Sequence, residues 1–304
     1  MKKFKLSYDF YDLLKLYKVY AAARGFSPKT IASTEANLKM IGGFFPLETK
    51  VKKFNSEKYE LFLVKLRTLN YSIETIYDLN ATLRKLVNLG LKRGIIKRNP
   101  FLNSGNISLG SKENYRLISA REFLKIREYF RERGEILYEF FFTLLYYTGI
   151  RIGEALALEV DDFSFSRTGG RVRIDKALLY EFNLIKEPKN KKNRTIPITK
   201  EVREMFMEVS KIFRGSKNRS KRIFRFSPTA ANEALKRVAR AKKIPEFHCH
   251  SFRHTYISNL IRGGVPLPVV SSVSGDTQKT ILKRYSHMFE EDRKFVLKAL
   301  EKIR

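Results

Sequence analysis

The chain has 304 residues, with 61 lysines and arginines against 31 aspartates and glutamates, so its formal net charge is +30. Charge of one sign in this excess repels itself unless a polyanion neutralises it, which favours a nucleic-acid partner over a merely solvated surface; a membrane surface is a weaker alternative. The apolar content of 43% excludes a disordered chain.

The cysteine content and the apolar segments indicate the compartment. Cys249 is the only cysteine, so no intrachain disulfide can form and a reducing compartment is expected. The basic N-terminus lacks the uninterrupted apolar stretch of a secretory signal, and the apolar run 140–150 is too short to span a bilayer. We therefore expect a cytoplasmic, nucleoid-associated protein without a membrane partner.

Residues 1–105 predict a small, basic helical domain. Helices are expected over 12–24, 28–42, 56–69 and from Ser72 onwards. Ser27 and Pro28 are typical of an N-cap followed by the first helical residue. The last helix carries a stripe of apolar residues at helical spacing: Ile76, Leu79, Leu83, Leu86 and Val87.

A linker, 106–116, separates this domain from a second one over 117–304. The segment 103–116 is polar, rich in glycine and serine, and aperiodic. The second domain begins with a capping box at Ser119 and Glu122. The apolar segment 136–147 predicts its central helix.

The segment 171–198 has strand composition in three short pieces, 171–174, 178–180 and 195–198. The basic stretch 186–194 lies between the last two, either as a solvated turn or as a flexible segment that brings a lysine to a phosphate. Helices follow over 199–213 and from Pro228 to 242. The fold class predicted is mainly α with a small antiparallel β-sheet.

All four histidines lie between His248 and His287. His250 and Arg253 share one helical turn, and arginine presents a planar fork of donors that matches phosphate oxygens. Tyr285 follows two basic residues, and a tyrosine hydroxyl can act as a covalent nucleophile. The pattern indicates phosphate chemistry. A zinc site from His250 and His254 is less favoured because no glutamate lies between them.

Arg151 lies between two glycines where the central helix is expected to end, in the sequence TGIRIGE. It is interpreted with equal weight as a surface arginine paired with Glu154 or as a functional residue.

Together these segments resemble the motifs of the tyrosine recombinases, the phage-integrase superfamily that includes the Xer-type enzymes. Residues 148–154 are similar to the family's first-arginine motif, and 188–198 to its β-hairpin lysine motif. Residues 250–254 are similar to its His-x-x-Arg motif, and 285–287 to its nucleophile motif. The resemblance also implies a helical core-binding domain followed by a catalytic domain, the order predicted here.

The resemblance implies metal-free, ATP-free and cofactor-free strand exchange through a 3′-phosphotyrosyl bond and a Holliday junction. The partner implied is double-stranded DNA at a specific recombination site, bound by a homotetramer on two duplexes. The implied catalytic residues are Arg151, Lys189, His250, Arg253 and Tyr285. Supporting residues are Glu154 and His287, and DNA contacts are expected from Lys191, Lys192, Arg194, Lys283 and Arg284.

Each implied catalytic residue has an expected role. Arg151 and Arg253 clamp the phosphate, and Glu154 orients Arg151. Lys189 protonates the leaving 5′-oxygen, while His250 acts as general base or as a hydrogen-bond donor to the phosphate.

One position departs from the family pattern. Gly275-Asp276 stands where the family usually has Gly-His or a tryptophan. We favour Asp276 as the N-cap of the helix that carries Tyr285, with a place in the active site as the alternative. A DNA-relaxing enzyme of the type IB topoisomerase kind and a non-catalytic DNA-binding relative are the alternative functions.

Overall fold

The computed structural model describes residues 7–102, 116–167, 169–187, 193–213 and 222–290, with the backbone alone for 286–290. The chain divides into two compact units, Met1–Lys112 and Glu113–Arg304. Residues 106–115 of the predicted linker lie outside the described residues, so the linker stays a prediction. In the part of the chain that is described, no helix is long and apolar enough to cross a membrane.

The first unit is helical in its described residues. Its helices are α1 (Phe10–Ala23), α2 (Pro28–Ile41), α3 (Ser56–Thr68) and α4 (Ile73–Lys92). The Ser27 hydroxyl accepts a hydrogen bond from the Thr30 amide at 3.3 Å, as the Ser-Pro pair predicts. The predicted apolar stripe of α4 is buried in the core of this unit.

The second unit contains eight α-helices among its described residues. They are α5 (Ala120–Glu132), α6 (Ile136–Thr148), α7 (Ile152–Ala157), α8 (Lys200–Phe213), α9 (Pro228–Lys242), α10 (Cys249–Arg262), α11 (Leu267–Ser274) and α12 (Gln278–Glu290). The capping box at Ser119 and Glu122 is present at the start of α5.

The described strands form two small antiparallel sheets. They are β1 (Phe163–Phe165), β2 (Gly170–Ile174), β3 (Ala177–Leu179), β4 (Leu184–Lys186) and β5 (Arg194–Ile198). One sheet has the order β1-β2-β5 and the other pairs β3 with β4. The sequence did not predict β1 and β4; a three-residue strand shows little alternation, and β3, equally short, was predicted from its composition at 178–180.

Helix α6 is the centre of the second unit. Phe140, Phe141 and Phe142 are all fully buried, and Phe142 stacks on Phe252 of α10 with ring centroids 5.4 Å apart. This packing places the first turn of α10 against the middle of α6. A smaller apolar cluster joins α10, α11 and α12. The elements that carry the predicted catalytic motifs are therefore packed against one another.

Candidate active site

Two helices end at the site, each with a glycine in the left-handed conformation. Gly149 follows α6 with φ 59°, and Gly275 follows α11 with φ 72°. Glycine adopts this conformation without the steric cost that a Cβ imposes. Both glycines turn the chain sharply, and the carbonyl groups of Gly149 and Ser274 point to the same arginine, Arg253.

Arg253 joins these two helix ends. Its Nη1 donates to the Gly149 carbonyl and its Nη2 to the Ser274 carbonyl, both at 2.8 Å. The side chain is 2% exposed. A cation is favoured at helix C-termini, where unpaired carbonyl groups carry partial negative charge. Burial and the nearby Arg151 lower the pKa of Arg253, but Asp276 and Glu154 oppose that change.

Arg151 reaches the same place from the start of α7. Its Nη1 lies 3.1 Å from Oε1 of Glu154, and its Nη2 donates to the Gly275 carbonyl at 3.3 Å. The contact expected between Arg151 and Glu154 is present. Glu154 is buried, however, so the interpretation of a surface ion pair is wrong.

Asp276 bridges the two arginines. Its Oδ1 lies 2.5 Å from Nη2 of Arg151, and its Oδ2 lies 2.8 Å from Nη2 of Arg253. Burial opposes ionisation, but the charge and hydrogen bond of Arg253, together with Arg151, lower the pKa of Asp276. The carboxylate is therefore ionised and held between two guanidinium groups.

The predicted N-cap function of Asp276 is wrong. The hydroxyl of Thr277 accepts a hydrogen bond from the Thr280 amide at 3.2 Å, so Thr277 caps α12. The Asp276 carboxylate instead turns to the guanidinium groups, because a charge-assisted ion pair in a partly desolvated site is stronger than a cap exposed to water.

Arg194 is internal, which corrects its assignment as a DNA contact. Its Nη1 and Nη2 form a bidentate ion pair with Glu154 at 3.1 and 2.6 Å, and its Nε donates to the Val273 carbonyl. Burial opposes ionisation of Glu154, but Arg194 outweighs it and lowers the pKa of that carboxyl. Arg194 thus fastens β5 to α7 and to the end of α11.

His254 is a candidate site residue that the sequence prediction omitted. It is buried, and its Nδ1 lies 2.7 Å from the Tyr285 hydroxyl, a hydrogen-bond distance. Residues at i and i+4 share a helix face, so the spacing of His250 and His254 contained the signal. The ring centroids of these histidines are 4.6 Å apart. No cluster of three or more metal-ligating side chains occurs among the described residues.

The surroundings of both histidines favour the neutral imidazole. Burial, helped by the charges around the ring, lowers the pKa of His254 to about 3. His250 lies at the exposed edge of this face, where desolvation by the surrounding protein and the charges of Arg253 and Arg284 lower its pKa to about 4.

Tyr285 is packed inside the protein. Its side chain is 2% exposed and belongs to the apolar cluster of α10, α11 and α12. Its backbone, with φ −120° and ψ 17°, departs from helical geometry and kinks α12. Lys283 and Arg284, just before it, are exposed. The side chain of His287 lies outside the described part of the structure, as do Lys189, Lys191 and Lys192.

Comparison with known proteins adds a family match. The model of the phage integrase family matches residues 117–292, more than half of the chain. A tyrosine recombinase of Thermosipho africanus is 31% identical over 172 residues, which are 56% of this chain and 56% of that protein. The tyrosine recombinase XerC of Treponema denticola is 24% identical over 92% of this chain and 95% of its own. The chain thus spans about half of the first relative and nearly all of the second.

A solved structure has the same fold. The Tn1549 transposon integrase, in complex with transposon right end DNA, superposes with a TM-score of 0.75 at 17% identity. The match covers 89% of this chain and 93% of that chain. It confirms the predicted fold class, mainly α with a small antiparallel sheet.

Proposed function

Since the chain belongs to the phage integrase family, the family of the tyrosine recombinases, we propose that it cuts and rejoins duplex DNA at a specific site. The enzyme class agrees with the prediction from the motifs. The reaction passes through a 3′-phosphotyrosyl bond and a Holliday junction.

One observation carries this proposal. Arg151 and Arg253 come from motifs far apart in the chain, and each binds one oxygen of the same carboxylate. A phosphodiester also presents two non-bridging oxygens with one negative charge, so the same pair of guanidinium groups suits it. Cationic donors held in place before the reaction stabilise the charge that develops on these oxygens during phosphoryl transfer.

Tyr285 is the proposed nucleophile. Its Oη forms a bond to phosphorus while the bond from phosphorus to the 5′-oxygen breaks. A neutral imidazole is able to accept the tyrosine proton; His254 lies within hydrogen-bond distance of the hydroxyl, and the ring of His250 lies beside that of His254. Lys189 supplies a proton to the leaving 5′-oxygen. A 5′-hydroxyl of the partner duplex then attacks the phosphotyrosyl bond, so the energy of the broken bond is retained without a nucleotide cofactor.

DNA is the proposed partner because of the chain's positive charge and its similarity to recombinases solved in complex with DNA. The net charge is +30, and Lys283 and Arg284 are exposed beside Tyr285. Solved structures show a lambda integrase dimer bound to a core site and the XerH recombinase bound to a difH substrate. For this chain we propose a homotetramer on two duplexes in the cytoplasm, with Lys191 and Lys192 as further DNA contacts.

Trapping on nicked suicide duplexes, drawn from DNA that flanks the gene, tests the chemistry and locates the site. We expect the wild-type protein to form an adduct that survives denaturing electrophoresis. Tyr285→Phe should bind the duplex but form no adduct, because it lacks only the hydroxyl. Tyr256→Phe is the matched control, since it removes a hydroxyl from α10 in the same apolar cluster and should still form the adduct.

Three results would contradict the proposal. An adduct that persists in Tyr285→Phe would exclude this residue as the nucleophile. Relaxation of supercoiled plasmids without any recombination site would favour the topoisomerase-like alternative, and DNA binding without an adduct on every duplex would favour a non-catalytic relative.

A further inference from the structure

The charges around the arginine pair are divided into two groups. Arg194 forms a bidentate ion pair with Glu154, which Arg151 also contacts. Asp276 is bound by Arg151 and Arg253. Three arginines and two carboxylates leave this cluster with a small positive charge. Glu154 is 1% exposed and pairs with Arg194 and Nη1 of Arg151, while Asp276 is 11% exposed and pairs with Nη2 of Arg151 and Nη2 of Arg253.

Asp276 and a DNA phosphate require the same donors. Nη2 of Arg151 and Nη2 of Arg253 both contact the carboxylate, at 2.5 and 2.8 Å. A phosphate oxygen at either position would overlap the carboxylate oxygen already there. The two anions would also repel each other in a site where Asp276 is only 11% exposed.

The backbone at Asp276 is held independently of its side chain. The Ser271 hydroxyl donates to the Asp276 carbonyl at 2.7 Å, and the Asp276 amide donates to the Ser274 hydroxyl at 3.3 Å. A change of side-chain rotamer therefore moves the carboxylate away from the two arginines without unwinding α11 or α12.

From this geometry we infer that Asp276 is an internal anion that occupies the phosphate site and sets its affinity, because an incoming phosphate has to displace it. The inference rests on the proposed function in taking a DNA phosphate as the natural occupant. A purely structural carboxylate would behave differently, since its removal would let Arg151 and Arg253 separate and would weaken anion binding.

Titration of the whole protein with inorganic phosphate in chloride buffer distinguishes these cases. Asp276→Asn keeps the size of the side chain and removes its charge. We expect it to bind phosphate at least about tenfold more tightly than the wild type, the scale of a charge-assisted contact that no longer competes. Asp175→Asn is the matched control, because it removes a carboxylate paired with Arg173 elsewhere in the unit and should leave the affinity within about twofold.

A double variant checks whether the added phosphate affinity arises at the arginine pair. Replacement of Arg151 by Gln in the Asp276→Asn background should abolish the gain. Unchanged or weaker phosphate binding in Asp276→Asn, with an intact circular dichroism spectrum, would overturn the inference. The same titration with Asp276→Ala shows whether an effect is due to loss of the carboxylate or to the asparagine side chain itself. If neither variant folds in chloride, folding restored by phosphate supports the inference, and failure to fold in phosphate overturns it.

Suicide-duplex trapping with the same variants separates this inference from the proposed function. If Asp276→Asn binds phosphate more tightly but no duplex yields an adduct, Asp276 is still an internal anion, and the proposed DNA cleavage is wrong. If the wild type forms an adduct and Asp276→Asn shows no gain in phosphate affinity, the proposed function stands and the assignment of Asp276 as an internal anion is wrong.

Discussion

Arg253 shows how a single residue can organise a site. Its buried guanidinium group binds the carbonyl groups of Gly149 and Ser274 and the carboxylate of Asp276. Leaving such a group without partners would cost several kcal/mol. The carbonyl groups at two helix ends and one carboxylate offset that cost, so the guanidinium group is held in place from three sides.

His254 should make the protein sensitive to acid. Its pKa is lowered from 6.5 to about 3, so the folded state binds this proton less readily than the unfolded chain. The stability contributed by the neutral ring is complete above pH 6.5 and is lost as the pH falls towards 3. Each such group changes the free energy of unfolding by at most about 1.4 kcal/mol per pH unit.

We therefore expect His254→Gln to reduce the loss of stability within that pH window, measured by denaturant titration at successive pH values. Glutamine retains a hydrogen-bonding group for the Tyr285 hydroxyl. His248→Gln is the control, because this exposed residue is the N-cap of the same helix. An acid slope identical to that of the wild type in His254→Gln would contradict the lowered pKa of this histidine.

At the scale of elements, the site depends on how α6 and α11 end. Arg194, Arg253 and Arg151 bind the successive carbonyl groups of Val273, Ser274 and Gly275. The negative end of the α11 dipole is thereby neutralised by three cations from β5, α10 and the start of α7. Arg194 approaches residue 275 closely: a Cβ there would lie 3.0 Å from its Nη1, so the guanidinium group would have to shift by a few tenths of an ångström.

Gly275→Ala tests this close approach, with Gly264→Ala as the matched control. Both glycines have φ 72°, but a Cβ at Gly264 meets no atom within 4 Å. The left-handed conformation alone should cost Gly264→Ala about 1–2 kcal/mol. Gly275→Ala should cost more, because it also disturbs the ion pair of Arg194 with Glu154. Equal losses in the free energy of unfolding, measured with urea, would show that Arg194 adapts freely.

At the scale of the whole molecule, the charge of +30 dominates. Neutralising DNA phosphates releases condensed counterions, and the free energy gained from this release falls as the salt concentration rises. We expect affinity for a fluorescently labelled duplex, measured by anisotropy, to fall by about a hundredfold or more between roughly 50 and 200 mM salt. Affinity that stays constant over this range would contradict a binding mode based on phosphate contacts.

The helices were largely predictable from sequence because their signals are local. Ser27 with Pro28, and Ser119 with Glu122, are read within four residues and recur as caps in the structure. The positions that prediction misjudged depend on distant partners. Asp276 resembles an N-cap until two arginines from other elements are placed beside it, and Arg194 resembles an exposed cation until Glu154 is found beneath it.

The sequence by itself determined the family, the basic surface and the order of the motifs, because residue types and their spacing along the chain carry that information. Tertiary structure alone decided which charges meet. Ionic and hydrogen-bonding energies depend on separation and on exclusion of water, and both arise only when the helices pack. Packing therefore determined that Glu154 serves Arg194, that Asp276 fills the arginine pair, and that His254 holds the Tyr285 hydroxyl.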